Sequence, residues 1–128
     1  MLRDDHKVRR LRELAVLHHL PRRLVRRIAR IADEVTVPAG TVLMRQGDRA
    51  GAVYLVGSGF LDVVVDGRPV ALVRGGEVVG ELGVLGSGRR SATVVAATEA
   101  TVYEIPARLF TSLLAESQDL DERMRRAA

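Results

Sequence analysis

Between residues 35 and 106 the chain is a succession of short β-branched runs, separated by turns rich in glycine. The runs are Val35–Val37, Val42–Arg45, Val53–Val56, Leu61–Val65, Val70–Val73, Ser91–Ala96 and Thr101–Ile105. The turns are Pro38-Ala39-Gly40, Gly47-Asp48, Gly57-Ser58-Gly59, Asp66-Gly67 and Gly75-Gly76. Side chains branched at Cβ pack well on a pleated sheet, and glycine supplies the positive φ that tight turns need. Asp66-Gly67 between two valine-rich runs is a hairpin signal. Many short strands at regular spacing predict a sandwich or barrel, and a jelly roll is one way to arrange eight of them.

Both flanks read differently. Residues 8–34 predict two helices broken near Leu20. Leu11, Leu14, Ala15 and Leu17 start one apolar face, and Leu24, Val25, Ile28, Ala29, Ile31 and Ala32 form the next. Pro21 suits the first turn of the second helix, where its missing N–H costs nothing. Residues 107–127 return to helix, with Leu109, Phe110, Leu113 and Leu114 on one face. A break is expected at Ser117-Gln118-Asp119, with Asp119 capping a short last helix over Leu120–Arg126. The expected organisation is therefore one domain over 1–128: helices at 8–34, a β-roll at 35–106 and helices at 107–127.

Composition excludes several classes of function. The chain has 128 residues and no cysteine, so it offers no disulfide framework, thiolate metal site or cysteine nucleophile. Its three histidines, His6, His18 and His19, all lie near the N-terminus and leave the β zone without imidazole ligands. No catalytic residue and no metal site is expected. No apolar run approaches the roughly 20 residues that cross a bilayer, and no signal-peptide pattern is present, so a cytoplasmic location is expected.

The chain carries 20 basic and 16 acidic residues, and the surplus is localised. Residues 1–34 hold ten Lys/Arg against five Asp/Glu, residues 35–106 six against seven, and residues 107–128 four against four. Arg22, Arg23, Arg26, Arg27 and Arg30 recur at helical spacing and share a face. That face reads as solvated surface or as a contact for a protein partner. Direct nucleic-acid binding is not expected, because the segment has no aromatic side chain for stacking.

Residues 80–93, Gly-Glu-Leu-Gly-Val-Leu-Gly-Ser-Gly-Arg-Arg-Ser-Ala-Thr, fit neither strand nor ordinary turn. Gly80 and Gly83 allow close backbone approach. One helical turn over Leu82–Leu85 would aim its first N–H groups at an anion. Arg90 could neutralise that anion through a charge-assisted contact, and Ser91 could add a hydroxyl. Glu81 repels phosphate, but it accepts well from a ribose hydroxyl. A ligand with a hydroxyl and one phosphate satisfies both; a Gly-rich surface loop is the plain alternative.

The run Gly80-Glu81-Leu82-Gly83-Val84-Leu85 followed by Arg90-Ser91-Ala92-Thr93 resembles the phosphate-binding cassette of cyclic nucleotide-binding domains. Pro38-Ala39-Gly40, Gly47-Asp48, Tyr54-Leu55-Val56 with Gly59, Gly76-Glu77-Val78-Val79-Gly80-Glu81, and Ala97-Thr98 before Val102-Tyr103 resemble the family's other motifs, in order. The resemblance spans roughly residues 14–120. It looks most similar to the C-terminal sensor domains of bacterial cyclic nucleotide-gated potassium channels.

The resemblance implies a mainly β fold with flanking helices: an eight-stranded antiparallel jelly-roll β-roll, N-terminal helices, a short cassette helix and C-terminal hinge and lid helices. It implies cAMP, or else cGMP, as ligand and no cofactor. Glu81 would take the ribose 2′-OH, and backbone groups of Gly80, Leu82 and Gly83 would cradle ribose and phosphate. Arg90 would pair with the phosphate, and Ser91 would donate to the phosphate or to a syn purine. Arg123 and Arg125 are the candidates for a purine contact from the last helix. Val79 replaces the family's usual aromatic, which predicts looser packing, and Arg89 replaces its usual proline, which predicts a more mobile loop. The implied role is a non-enzymatic regulatory sensor. Its effector, a channel pore, transporter or enzyme, is expected outside this chain, with homo-oligomerisation through the N-terminal helices open. A degenerate roll used for assembly is the alternative.

Overall fold

The computed structural model describes residues 2–127, and Met1 and Ala128 lie outside it. Eight strands form two four-stranded antiparallel sheets flanked by helices. The strands are β1 Asp33–Val37, β2 Val42–Met44, β3 Ala52–Ser58, β4 Phe60–Val65, β5 Arg68–Arg74, β6 Val78–Val79, β7 Thr93–Ala96 and β8 Ala100–Pro106. One sheet has the order β1-β8-β3-β6 and the other β2-β7-β4-β5. The β4–β5 hairpin turns where expected. Asp66 and Gly67 both have positive φ, 52° and 79°, and Val65 pairs with Arg68. Two successive positive φ values match the right-handed strand twist, which is why Asp-Gly is favoured there.

The two central strands of the first sheet explain the continuous apolar run at Val53–Val56. Both faces of β3 are covered. Val53 and Leu55 pack with Tyr103 and Ile105 of β8 against the helices. Ala52, Tyr54 and Val56 face the other way, into the roll, with Leu61, Val79, Val94 and Val102. A strand buried on both sides needs apolar residues at every position, not at alternate ones.

The flanks depart from expectation in detail. The N-terminal helix α1 spans Leu2–Arg12, a 3-10 turn follows at Ala15–Leu17, and α2 spans Arg22–Ile31. The predicted single break near Leu20 is therefore a longer non-α link. Its cause is tertiary, because the Val16 N–H donates to the Gly76 carbonyl at 3.0 Å and ties the turn to the roll. Strand β1 begins two residues earlier than predicted, and β6 was not predicted. Two residues are too few to show a period, and Val78–Val79 becomes a strand only through pairing with Leu55 and Tyr54.

After β8, Pro106 precedes α4 Ala107–Glu116, and α5 spans Gln118–Ala127. The Ser117 hydroxyl, not Asp119, caps α5, accepting from the Leu120 N–H at 3.2 Å. The helix runs longer than predicted and carries Asp121–Arg125 and Glu122–Arg126 pairs at i,i+4. Phe110, Leu113, Leu120 and Met124 complete the core that α1 and α2 share with β3 and β8. Among the described residues no helix is long and apolar enough to cross a membrane.

Phe110 is 1% exposed and couples α4 to both sheet and helices. Phe110→Ala should cost about 3–5 kcal/mol of unfolding free energy by urea titration, from lost transfer energy plus a cavity. A loss below about 1 kcal/mol would contradict the packing described.

Candidate functional site

The cassette residues that the sequence singles out, Gly80, Glu81, Leu82, Gly83, Arg90 and Ser91, converge on one pocket of about 220 Å³. It lies inside the roll. Val63, Ala71, Val73 and Val94, from β4, β5 and β7, supply apolar wall, and Gly80, Glu81 and Arg90 supply the polar groups. Leu82, Gly83, Ser91 and the end of α5 at Ala127 also line it.

Chain geometry delivers Glu81. Strand β6 ends at Val79, Gly80 turns with φ 94°, and α3 starts at Glu81 and ends at Leu85. Only glycine fits at 80. A Cβ there would meet Arg90 Nη1 at 2.8 Å, Met44 Cε at 3.1 Å and the Ala52 carbonyl oxygen at 3.2 Å. Gly83 is small for a reason the sequence did not disclose. Its missing Cβ would meet the Arg89 carbonyl oxygen at 2.8 Å and Ala50 at 2.9 Å. The close approach at Gly83 is thus by the protein's own backbone. The first-turn N–H groups of α3, at Glu81, Leu82 and Gly83, lack i−4 carbonyl partners of the same helix.

Arg90 arrives from a loop laced to the 47–50 turn. The Arg90 N–H donates to the Asp48 carbonyl at 2.7 Å, and its carbonyl accepts from the Gly47 N–H at 2.8 Å. Arg89, where greater mobility was expected, forms a β-bridge with Arg49, and its N–H donates to the Ser87 hydroxyl at 3.2 Å. Val79 is 8% exposed and packs in the roll's inner core.

The electrostatics are unusual for so small a space. Glu81 is 5% exposed and Arg90 6%. They do not pair with each other, and Glu81 Oε2 has no hydrogen-bond partner. Burial pushes the Glu81 carboxyl up to about 7, against the opposing pull of the Leu82 and Glu81 backbone N–H groups. The Arg90 Nη1 donates to the Gly80 carbonyl at 3.2 Å. Burial lowers its pKa, while Tyr54 and Glu104 on the far side work to keep it charged.

Tyr54 and Glu104 escaped the sequence reading. They sit opposite each other on β3 and β8, and the Tyr54 hydroxyl donates to Glu104 at 3.2 Å. A lone carboxylate inside an apolar strand was the available signal. Ser91 is exposed at the pocket's rim. Arg123 and Arg125, the candidates for a purine contact, do not line the pocket. Arg123 reaches the His18 carbonyl and Asp119, and Arg125 pairs with Asp121 at 3.0 Å. Ala127 is the α5 residue that lines it.

Four clefts are larger; one of about 360 Å³ opens on the other side of Arg90, beside Tyr54 and Glu104, and the two largest, of about 560 and 520 Å³, lie elsewhere. In the first, Arg10 is already engaged by Glu34 and by the Tyr103 hydroxyl. In the second, Arg123 is held by the His18 carbonyl. Neither offers a buried carboxylate and a buried guanidinium that leave each other free.

Two four-stranded sheets folded over a pocket with these polar groups define a β-roll with a ligand-sized site, and comparison with known proteins specifies the family. Residues 34–117 match the family model described as cyclic nucleotide-binding domain. The chain belongs to this family. An uncharacterized NTE family protein of Mycobacterium tuberculosis is 33% identical over 118 residues, covering 91% of this chain and 20% of that protein. The cAMP-dependent protein kinase regulatory subunit of Aspergillus niger is 35% identical over 103 residues, 79% of this chain and 24% of that protein. The chain thus spans a quarter or less of these relatives. A solved structure, the regulatory subunit of a cAMP-independent protein kinase A from Trypanosoma brucei, superposes with a TM-score of 0.88. Its identity is 23%, covering 98% of this chain and 45% of that one, and it shows the shared fold.

Glu81 makes stability depend on pH. Its folded pKa, about 7, lies above the ordinary value of 4.5, so the unfolded chain releases this proton first. The ligand-free domain should lose stability as pH rises from about 4.5 to about 7. Glu81→Gln should flatten that slope in urea titrations across the range. An unchanged slope in the variant would contradict the assignment.

Proposed function

We propose that this chain is a regulatory sensor that binds a cyclic nucleoside monophosphate, cAMP by preference. The observation that carries the reading is the pair of buried, mutually unpaired groups in one pocket, Glu81 with its Oε2 unsatisfied and Arg90 beside Gly80. An anion answers the guanidinium and a hydroxyl donor answers the carboxylate, and a ribose cyclic phosphate carries both. Family membership supports the same chemistry. Gly80, Leu82 and Gly83 supply backbone donors, and Ser91 adds a hydroxyl at the rim. The likeness to a cAMP-dependent kinase regulatory subunit favours cAMP, and the Ser91 hydroxyl keeps cGMP as the second candidate.

The pocket volume of about 220 Å³ falls below the ~300–1,000 Å³ of typical small-molecule sites. A nucleotide seated there extends into the mouth lined by Ala127. Ligand contact with α5 is then the route by which binding reaches the helices. The effector is an enzyme or another output domain outside residues 1–128, and a cytoplasmic location goes with that role. The likeness to a protein kinase regulatory subunit favours an enzyme over a channel pore. The competing reading, a roll kept for assembly, is favoured by the small pocket volume alone.

Calorimetric titration with cAMP and cGMP separates the two. The wild-type chain should bind at least one nucleotide well below millimolar. Arg90→Leu should lose about 1.5–3 kcal/mol, roughly ten- to over a hundredfold in affinity. Failure of both nucleotides to bind would replace the sensor reading with the assembly reading. Equal affinity of the variant would place the anion elsewhere.

A further inference from the structure

Helix α2 carries positive charge that the fold does not neutralise. Arg22, Arg23, Arg26, Arg27 and Arg30 are all exposed, on the side opposite the buried Val25, Ile28 and Ala29. Among the described residues only Arg27 of the five has an ion pair, with Glu116. The start of α2 worsens the imbalance. Pro21 gives no side-chain cap, the first turn holds no acidic residue, and Arg22 and Arg23 stand at the positive end of the helix dipole. Cations at that end are unfavourable until a negative group arrives.

A second observation shows which negative group the face accepts. Glu116 ends α4, 89 residues away in sequence, and its carboxylate reaches across to Arg27. Between them lies a groove of about 410 Å³, lined by Pro21, Arg23, Leu24, Arg27, Arg30 and Glu116. A carboxylate from another element is thus already seated on the arginine face.

We propose that this groove docks an acidic polypeptide segment, rich in Asp and Glu. Its carboxylates pair with Arg23 and Arg30 in the groove and compete with Glu116 for Arg27, and the segment continues along the helix to the exposed Arg26 outside the groove. The planar guanidinium fork matches a carboxylate in two-point contacts. A membrane surface fits less well. Helices that lie in a bilayer interface insert apolar side chains, and among the described residues the large exposed apolar ones are Val35, Val42, Phe60, Val70, Leu72 and Leu82, none of them on α2. Nucleic acid fits less well because α2 offers no aromatic to stack on a base.

The test is fluorescence anisotropy of a labelled glutamate-rich peptide with the full chain at physiological salt. Phosphatidylserine vesicles and duplex DNA serve as competitors. The triple variant Arg23→Glu/Arg26→Glu/Arg30→Glu should weaken peptide binding more than tenfold, each guanidinium contributing about two- to fivefold. Arg68→Glu/Arg74→Glu, on exposed positions of β5, should weaken it far less. Glu116→Gln removes the internal competitor and should tighten binding about two- to fivefold. Circular dichroism checks that the triple variant is folded, and if it is not, Glu116→Gln decides alone. Equal losses in the α2 and β5 variants would overturn the proposal, because attraction would then be general. No tightening in Glu116→Gln, or displacement of the peptide by vesicles or DNA at equal charge concentration, would overturn it as well.

Discussion

Two buried ionisable side chains of opposite sign share one small pocket and do not bridge each other. Isolated burial of a charge is costly, and a protein ordinarily relieves it by pairing or by neutralising the group. Here Glu81 moves toward neutrality, with its carboxyl pushed up to about 7, while Arg90 leans on the Gly80 carbonyl and on the field of Tyr54 and Glu104. Much of the local architecture holds the two apart. Gly80 turns the chain without filling the space the guanidinium needs, and the strand-like lacing of Arg90 to Gly47 and Asp48 fixes its backbone. Buried polar groups left without partners persist only where the surrounding fold over-determines their positions, and they concentrate at functional sites.

The roll supplies that over-determination through β3 and β8. Their outer faces pack against the helices and their inner faces pack into the roll. A change at the cassette therefore has a short physical path to the flanks. Strand β6, which leads into Gly80, pairs with β3, and Val78 packs in the helical core. From the other direction, α5 is anchored by Leu120 and Met124 and brings Ala127 to the pocket.

The parts of this arrangement that were legible in the sequence were those governed by local chemistry. Asp66-Gly67 specifies a hairpin because both residues tolerate positive φ, and the cassette motif marks Gly80, Glu81 and Arg90 from their spacing in the chain. Elements created by tertiary contact were not legible. Val78–Val79 is a strand only because β3 accepts it, and the link after α1 is fixed by a hydrogen bond to distant Gly76. The same limit applied within the site. The cross-strand meeting of Tyr54 with Glu104 depends on register, and the distance of Arg123 and Arg125 from the pocket depends on how α5 docks. Gly83 reads in the sequence as room for a ligand, whereas the atom that crowds it is the Arg89 carbonyl oxygen, brought there by the fold.

The central claim is that a ligand hydroxyl satisfies Glu81 in its ionised form. Titrating the chain with cAMP near pH 6, in buffers of different ionisation enthalpy, counts the protons exchanged on binding. A carboxyl with a pKa of about 7 is mostly protonated there, so binding should release more than about half a proton, and almost none near pH 8.5. Binding without proton release near pH 6, or with proton uptake, would contradict the account.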